Sequence, residues 1–158
     1  LLMATKSGLI KKTPLKEYDS SRKTGLLAIN LKDDDELIDV RLTDGEDNVV
    51  LVTRKGMCIT FDEKDVRPVG RSAQGVLGIR LDDDDIVIGM ESILANNKSA
   101  TLLAITENGF GKRTELEEYR VQNRGGRGVI TYKITPKTGN IVGREMFFHM
   151  RKGGTQLE

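Results

Sequence analysis

GLIKKTPLKEY (Gly8 to Tyr18) and GFGKRTELEEY (Gly109 to Tyr119) agree without a gap at Gly, Lys, Thr, Leu, Glu and Tyr. Agreement of that length between distant segments marks an internal repeat. A middle copy, GMCITFDEKDV (Gly56 to Val66), keeps the glycine and the apolar strand but has neither the basic pair nor the tyrosine. Upstream of each glycine stands an apolar stretch ending in Thr, two residues before the Gly: LLMATKSG, VVLVTRKG and LLAITENG. The period is roughly 50 residues.

Downstream, each unit crosses a basic loop to a second glycine, Gly25, Gly75 or Gly128. An alternating stretch follows (AINL, GIRL or TYKI), then a polar turn, then a last apolar stretch (LIDV, IVIGM or IVG). Alternation and β-branched content predict four short strands per unit, in the middle copy Val49 to Thr53, Met57 to Phe61, Val76 to Leu81 and Ile86 to Met90. Only Lys64 to Val69 reads as briefly helical. Repeated four-stranded antiparallel units predict an all-β, propeller-like wheel whose blades bury their faces against one another. Three units fill 1–48, 49–101 and 102–143, which is a partial wheel, and 144–158 reads as a tail outside the pattern, with Leu157-Glu158 resembling a cloning junction. The absence of tryptophan disfavours kelch and WD-type blades.

The chain has 158 residues, with 25 Lys and Arg against 24 Asp and Glu, so its net charge of +1 conceals a segregation. Acidic residues bunch at Asp33 to Glu36 and Asp82 to Asp85; basic residues gather at Lys11-Lys12, Arg22-Lys23, Arg54-Lys55, Lys112-Arg113 and Arg124 to Arg127. No apolar run approaches the roughly 18 residues of a membrane span, and the first residues lack the features of a secretory signal. A single cysteine, Cys58, excludes an internal disulfide and a cysteine-built zinc site. A cytoplasmic protein is the expectation.

With these repeats, and with QNRGGRG at Gln122 to Gly128, the chain resembles the C-terminal domain of the A subunit of DNA gyrase over Leu1 to Gly143. The resemblance implies a β-pinwheel, a propeller-like disc whose blades exchange a strand and whose basic rim wraps duplex DNA. It implies as partners the rest of the gyrase A polypeptide and the gyrase B polypeptide, with the catalytic tyrosine in a preceding domain and ATP and magnesium handled elsewhere in the complex. No cofactor and no catalytic residue are therefore expected here. Topoisomerase IV carries a related wheel and is the nearest alternative. QNRGGRG departs from the family's Gln-Arg-Arg-Gly-Gly-Lys-Gly box at Asn123 and Arg127 and stands in the third repeat, so it matches a degenerate counterpart of that box in a later blade.

Cations recurring at one repeat position form a periodic row suited to phosphates, and need no base-reading geometry. The expected DNA-contacting set is Lys11, Lys12, Arg22, Lys23, Arg71, Lys112, Arg113, Arg120, Arg124 and Arg127, with Gly125 and Gly126 offering backbone amides to a phosphate. A protein-interaction wheel is the alternative from another class, and a half-wheel's open strand edges favour self-association.

Other chemistry is excluded on spacing. EF-hand loops started at Asp33 or Asp82 would carry Ile38 and Asp44, or Val87 and Ile93, where Gly and Glu are required, so the acidic runs read as solvated turns. In GFGKRT, Arg113 occupies the position a phosphate loop reserves for Ser or Thr. Cys58 aligns with Ile10 and Gly111 and reads as a small buried hydrophobe. Tyr18 and Tyr119 are repeat positions and read as structural; His149 falls in the tail.

Overall fold

The computed structural model describes residues 1–148 apart from 21 and 98, and side chains as far as 143; the tail from 149 onward, with His149, lies outside the described residues. Each repeat opens with a hairpin: β1 (Leu2–Thr5) with β2 (Leu9–Lys12), β4 (Asp47–Thr53) with β5 (Met57–Asp62), and β8 (Ala100–Thr106) with β9 (Gly111–Glu115). The Thr-x-x-Gly signal closes all three turns by one mechanism. Gly8, Gly56 and Gly109 adopt φ of 91°, 90° and 83°, and their amides donate to the carbonyls of Thr5, Thr53 and Thr106. The same threonine hydroxyls accept the next amide, from Leu9, Met57 and Phe110 at 3.1 to 3.2 Å. Each repeat ends in a strand on the first strand's other side: β3 (Leu37–Arg41), β7 (Val87–Leu94) and β11 (Ile141–Phe148).

The remaining strand of each repeat leaves its own blade. β6 (Val76–Leu77) pairs with β2 of the preceding repeat, and β10 (Val129–Ile130) pairs with β5. The sheets therefore run β3-β1-β2-β6, β10-β5-β4-β7 and β11-β8-β9, all antiparallel, and the fold is a strand-exchanged β-pinwheel. The exchanged strands are the two residues just before GIRL and TYKI, which themselves form no strand, so the strand expected over Val76 to Leu81 ends at Leu77. The chain bends at Gly78, where the amides of Gly78 and Ile79 both reach the Gly8 carbonyl, and Thr131 and Tyr132 treat Gly56 likewise. In the first repeat, Leu26 and Leu27, the equivalents of β6 and β10, form no strand, because among the described residues none stands to them as β2 and β5 stand to the other two.

The helical segment also differs from expectation. A single 3-10 turn occurs in every repeat, at Leu15–Tyr18, Glu63–Asp65 and Leu116–Glu118, instead of one segment from Lys64. The last strand is longer than IVG, because its backbone from Gly143 to Phe148 pairs with β8 from Ile105 back to Ala100. The repeat pattern predicts a stop at 143; the ladder continues because β8 offers a full free edge.

β4 explains why the run VVLV is uninterrupted. Val49 and Leu51 enter one core cluster with Leu2, Ile10, Phe61 and Met90, while Val50 and Val52 enter a second with Cys58, Leu102, Tyr119 and Ile141. A sheet buried on both faces needs apolar residues at successive positions. Burial pushes the Cys58 thiol up to about 12, so it packs as a hydrophobe. Among the described residues no helix is long and apolar enough to cross a membrane.

The acidic runs are only partly solvated turns. Asp34 and Asp84 adopt φ of 64° and 63°, which aims the next carboxylate inward. Asp35 accepts from Ser7 and the Glu36 amide, and Asp85, 7% exposed, accepts from the amides of Lys55 and Ile86. Burial alone would raise the Asp35 carboxyl, but hydrogen bonds from Ser7, Thr5 and the amides of Ser7 and Glu36 hold it below its ordinary value. A depressed folded-state value stabilises the protein above the unfolded-state value and is lost as pH falls through the folded one. Asp35→Asn is therefore expected to flatten the loss of stability between about pH 5 and pH 2, read from urea melts across that range.

Candidate nucleic-acid interface

The repeated lysine and tyrosine form an anchor for the departing strand. Lys11 is 1% exposed, and its ammonium donates to the carbonyls of Ala28, at 2.7 Å, and Arg71. Tyr18 donates to the same Ala28 carbonyl at 3.1 Å. In the third repeat Lys112 reaches the Thr131 carbonyl at 3.3 Å, and Tyr119 bonds the Thr131 hydroxyl. The middle repeat places Ile59, Val66 and Gly78 at these positions and packs them apolar, which is why it lacks the motif. Burial, then the Arg71 charge, lowers the Lys11 ammonium below its ordinary value.

Lys11 therefore leaves the DNA-contacting set: its side chain is buried and two of its three N–H donors are held by carbonyls. Lys11→Met should cost about 1 to 3 kcal/mol, because the Arg71 carbonyl loses the ammonium and the Ala28 carbonyl keeps only Tyr18, and should leave the DNA affinity of the folded fraction unchanged. Urea denaturation and DNA anisotropy on the same preparation measure both.

The loop 122–128 is seated on the preceding repeat. Gln122 donates its amide to Thr60 O at 2.9 Å, Gly125 to Gly78 O at 2.7 Å, and Arg80 to Gly126 O at 2.8 Å. Arg124 spans the junction, with Nε on Asp65 O at 2.9 Å and Nη1 on Leu77 O at 3.0 Å. The Gly125 amide is thus committed to protein, which removes it as a phosphate donor. Its φ of 81° is what calls for glycine, since a Cβ there would meet Leu77 only at ordinary contact distance, 3.5 Å.

Arg22, Lys23, Lys112, Arg113, Arg120 and Arg127 are exposed; Lys12, Arg71, Arg124 and Gly126 are half-buried. Arg127 pairs with Asp82 at 3.2 Å, and both side chains are largely solvated. Lys12 donates to Glu63 O at 2.9 Å and Arg71 to Leu27 O at 3.1 Å. Lys12, Arg71, Lys112 and Arg124 are thus oriented by neutral carbonyls, which fix their geometry without cancelling their charge. Arg80 and its repeat equivalent Lys133 are also exposed, and Arg80 adjoins the loop. Clustered basic pairs do not reveal these two; the outward positions in GIRL and TYKI carry their signal.

A family model described as the DNA gyrase C-terminal domain, beta-propeller, matches residues 1–44, 47–93 and 100–143. The A subunit of DNA gyrase from Clostridium acetobutylicum is 55% identical over 146 residues, covering 92% of this chain and 17% of that protein. Its counterpart from Haloquadratum walsbyi is 44% identical over 158 residues, covering 96% of this chain and 18% of that protein. The chain spans less than a fifth of the length of these relatives. Among solved structures, the C-terminal domain of DNA topoisomerase IV superposes with a TM-score of 0.86 at 35% identity, covering 92% of this chain and 45% of that one. The DNA gyrase A C-terminal domain superposes at 0.79 and 30% identity, covering 91% and 47%.

Proposed function

The chain belongs to the DNA gyrase C-terminal domain family, and from that premise we propose that it binds duplex DNA along a basic rim and bends it. In this reading it is the DNA-wrapping part of a type II topoisomerase, presenting a crossover to catalytic machinery in the rest of the gyrase A polypeptide and in gyrase B. The chain itself performs no bond chemistry and needs no cofactor. It works in the cytoplasm, on the nucleoid.

The observation that carries this reading is the set of cations held by backbone carbonyls, namely Lys12, Arg71, Lys112 and Arg124. Charges fixed in this way attract a polyanion at little entropic cost and release its counterions. Bending costs the duplex roughly 1 to 6 kcal/mol, offset by the extra phosphates that a curved path brings within reach. The test is fluorescence anisotropy with duplexes of unrelated sequence across a salt series. Expected is binding that is insensitive to sequence, with log K falling linearly in log salt. Salt-independent binding, or none, would favour the protein-interaction wheel.

A further inference from the structure

Where the first and second repeats meet, carboxylate oxygens of Asp44, Asp47 and Glu63 lie within 4.8 Å of one another. Glu63 is wholly buried, and each of its oxygens accepts one hydrogen bond and keeps a further lone pair: Oε1 accepts from the Asp47 amide at 3.0 Å and Oε2 from the Thr43 hydroxyl at 2.6 Å. Asp47 is only 8% exposed, and its Oδ1 is buried with no hydrogen-bond partner. The neighbouring lysines do not serve it. Lys64 pairs with Glu46 at 2.6 Å, and the Lys12 ammonium sits on the Glu63 carbonyl. Burial, then the Glu63 and Asp44 charges, push the Asp47 carboxyl above its ordinary value, against a Ser92 side-chain hydrogen bond that lowers it.

A buried carboxylate oxygen without a donor, beside two further carboxylates, is costly unless a cation joins them. We propose that Asp44, Asp47 and Glu63 bind one hard divalent cation of the calcium type at the junction of the first two blades, with water entering past the exposed Asp44. All donors are oxygen, which excludes soft metals. Calcium suits the site better than magnesium, because calcium accepts irregular oxygen geometry completed by water, whereas magnesium demands a near-ideal octahedron that fixed buried carboxylates do not supply. The cation clamps the strand entering β4 to the turn after β5 and so stiffens the join between repeats. Nothing in this depends on DNA binding.

The experiment is calorimetric melting of the EDTA-treated, dialysed protein with calcium chloride, magnesium chloride, or potassium chloride at equal ionic strength. A site with three carboxylates, one of them solvated, should bind calcium with a Kd on the order of 10⁻⁴ to 10⁻³ M. About 10 mM calcium should then raise Tm by several degrees, and magnesium by less. Asp44→Asn lies at the exposed edge and should abolish the calcium shift while leaving the metal-free Tm near wild type. Asp47→Asn should abolish it and raise the metal-free Tm by removing repulsion. Absence of a calcium shift, an equal shift with magnesium, or a shift retained in both variants would overturn the proposal.

Discussion

Gly56→Ala is expected to leave the protein largely unfolded, whereas Gly109→Ala, at the same repeat position, should leave it folded. A Cβ at Gly56 would lie 2.0 Å from the Tyr132 carbonyl oxygen, and one at Gly128 would lie 2.3 Å from that of Cys58. Both collisions are with backbone of a neighbouring repeat, so no rotamer relieves them. Separation would break the bonds that dock the exchanged strand, among them Thr131 N to Gly56 O at 2.8 Å. The loss should reach about 4 kcal/mol or more, a large share of a domain's stability.

At Gly109, and likewise at Gly25, φ is positive but nothing lies within 4 Å of the added atom. There the cost should be only the conformational one, roughly 1 to 2 kcal/mol. Urea denaturation of the four alanine variants makes the comparison. If Gly109→Ala were as damaging as Gly56→Ala, backbone conformation and not strand exchange would be what these glycines serve.

Replacing Arg22, Lys23, Arg120 and Arg127 together by Ala should weaken DNA binding uniformly across sequences. None of the four reads bases in the proposed mode. Each phosphate that is no longer neutralised should lower the magnitude of the salt slope by about 0.9, so four give at most roughly 3.6. At 0.1 M salt the corresponding drop in affinity is between about 10²- and 4 × 10³-fold. These four are chosen because they are exposed. Arg124 is left in place because its hydrogen bonds hold the blade junction, and its removal would mix folding with binding.

The control is Asp82, Asp83 and Asp84 to Asn, which removes negative charge and should leave binding equal or tighter. Asp85 is spared because its carboxylate caps two amides. An unchanged slope in the quadruple variant, with circular dichroism confirming the fold, would move the binding track to other cations, Arg80 and Lys133 first.

Local order was legible in the chain because it is written in short-range chemistry. Thr-x-x-Gly specifies its hairpin through one hydroxyl and one left-handed residue, both within five positions, and a period near 50 specifies repetition. Alternation located most strands. The roles of the repeated cations were not legible. Lys11 and Lys12 are adjacent and chemically identical, yet one is buried between the carbonyls of Ala28 and Arg71 and the other lies half-buried on the Glu63 carbonyl.

Which lysine faces inward is decided by a segment many residues away that crosses to another sheet, and no local pattern encodes that crossing. The same holds for Gly125, whose amide is taken by Gly78 of the preceding blade, and for Asp47, whose burial beside Glu63 exists only once two repeats meet. Sequence by itself determined the blades, because their turns and pleats are set by neighbours along the chain. Tertiary structure alone decided which charges remain available to a partner, because strand exchange sets what each side chain meets and hence whether burying it costs or stabilises.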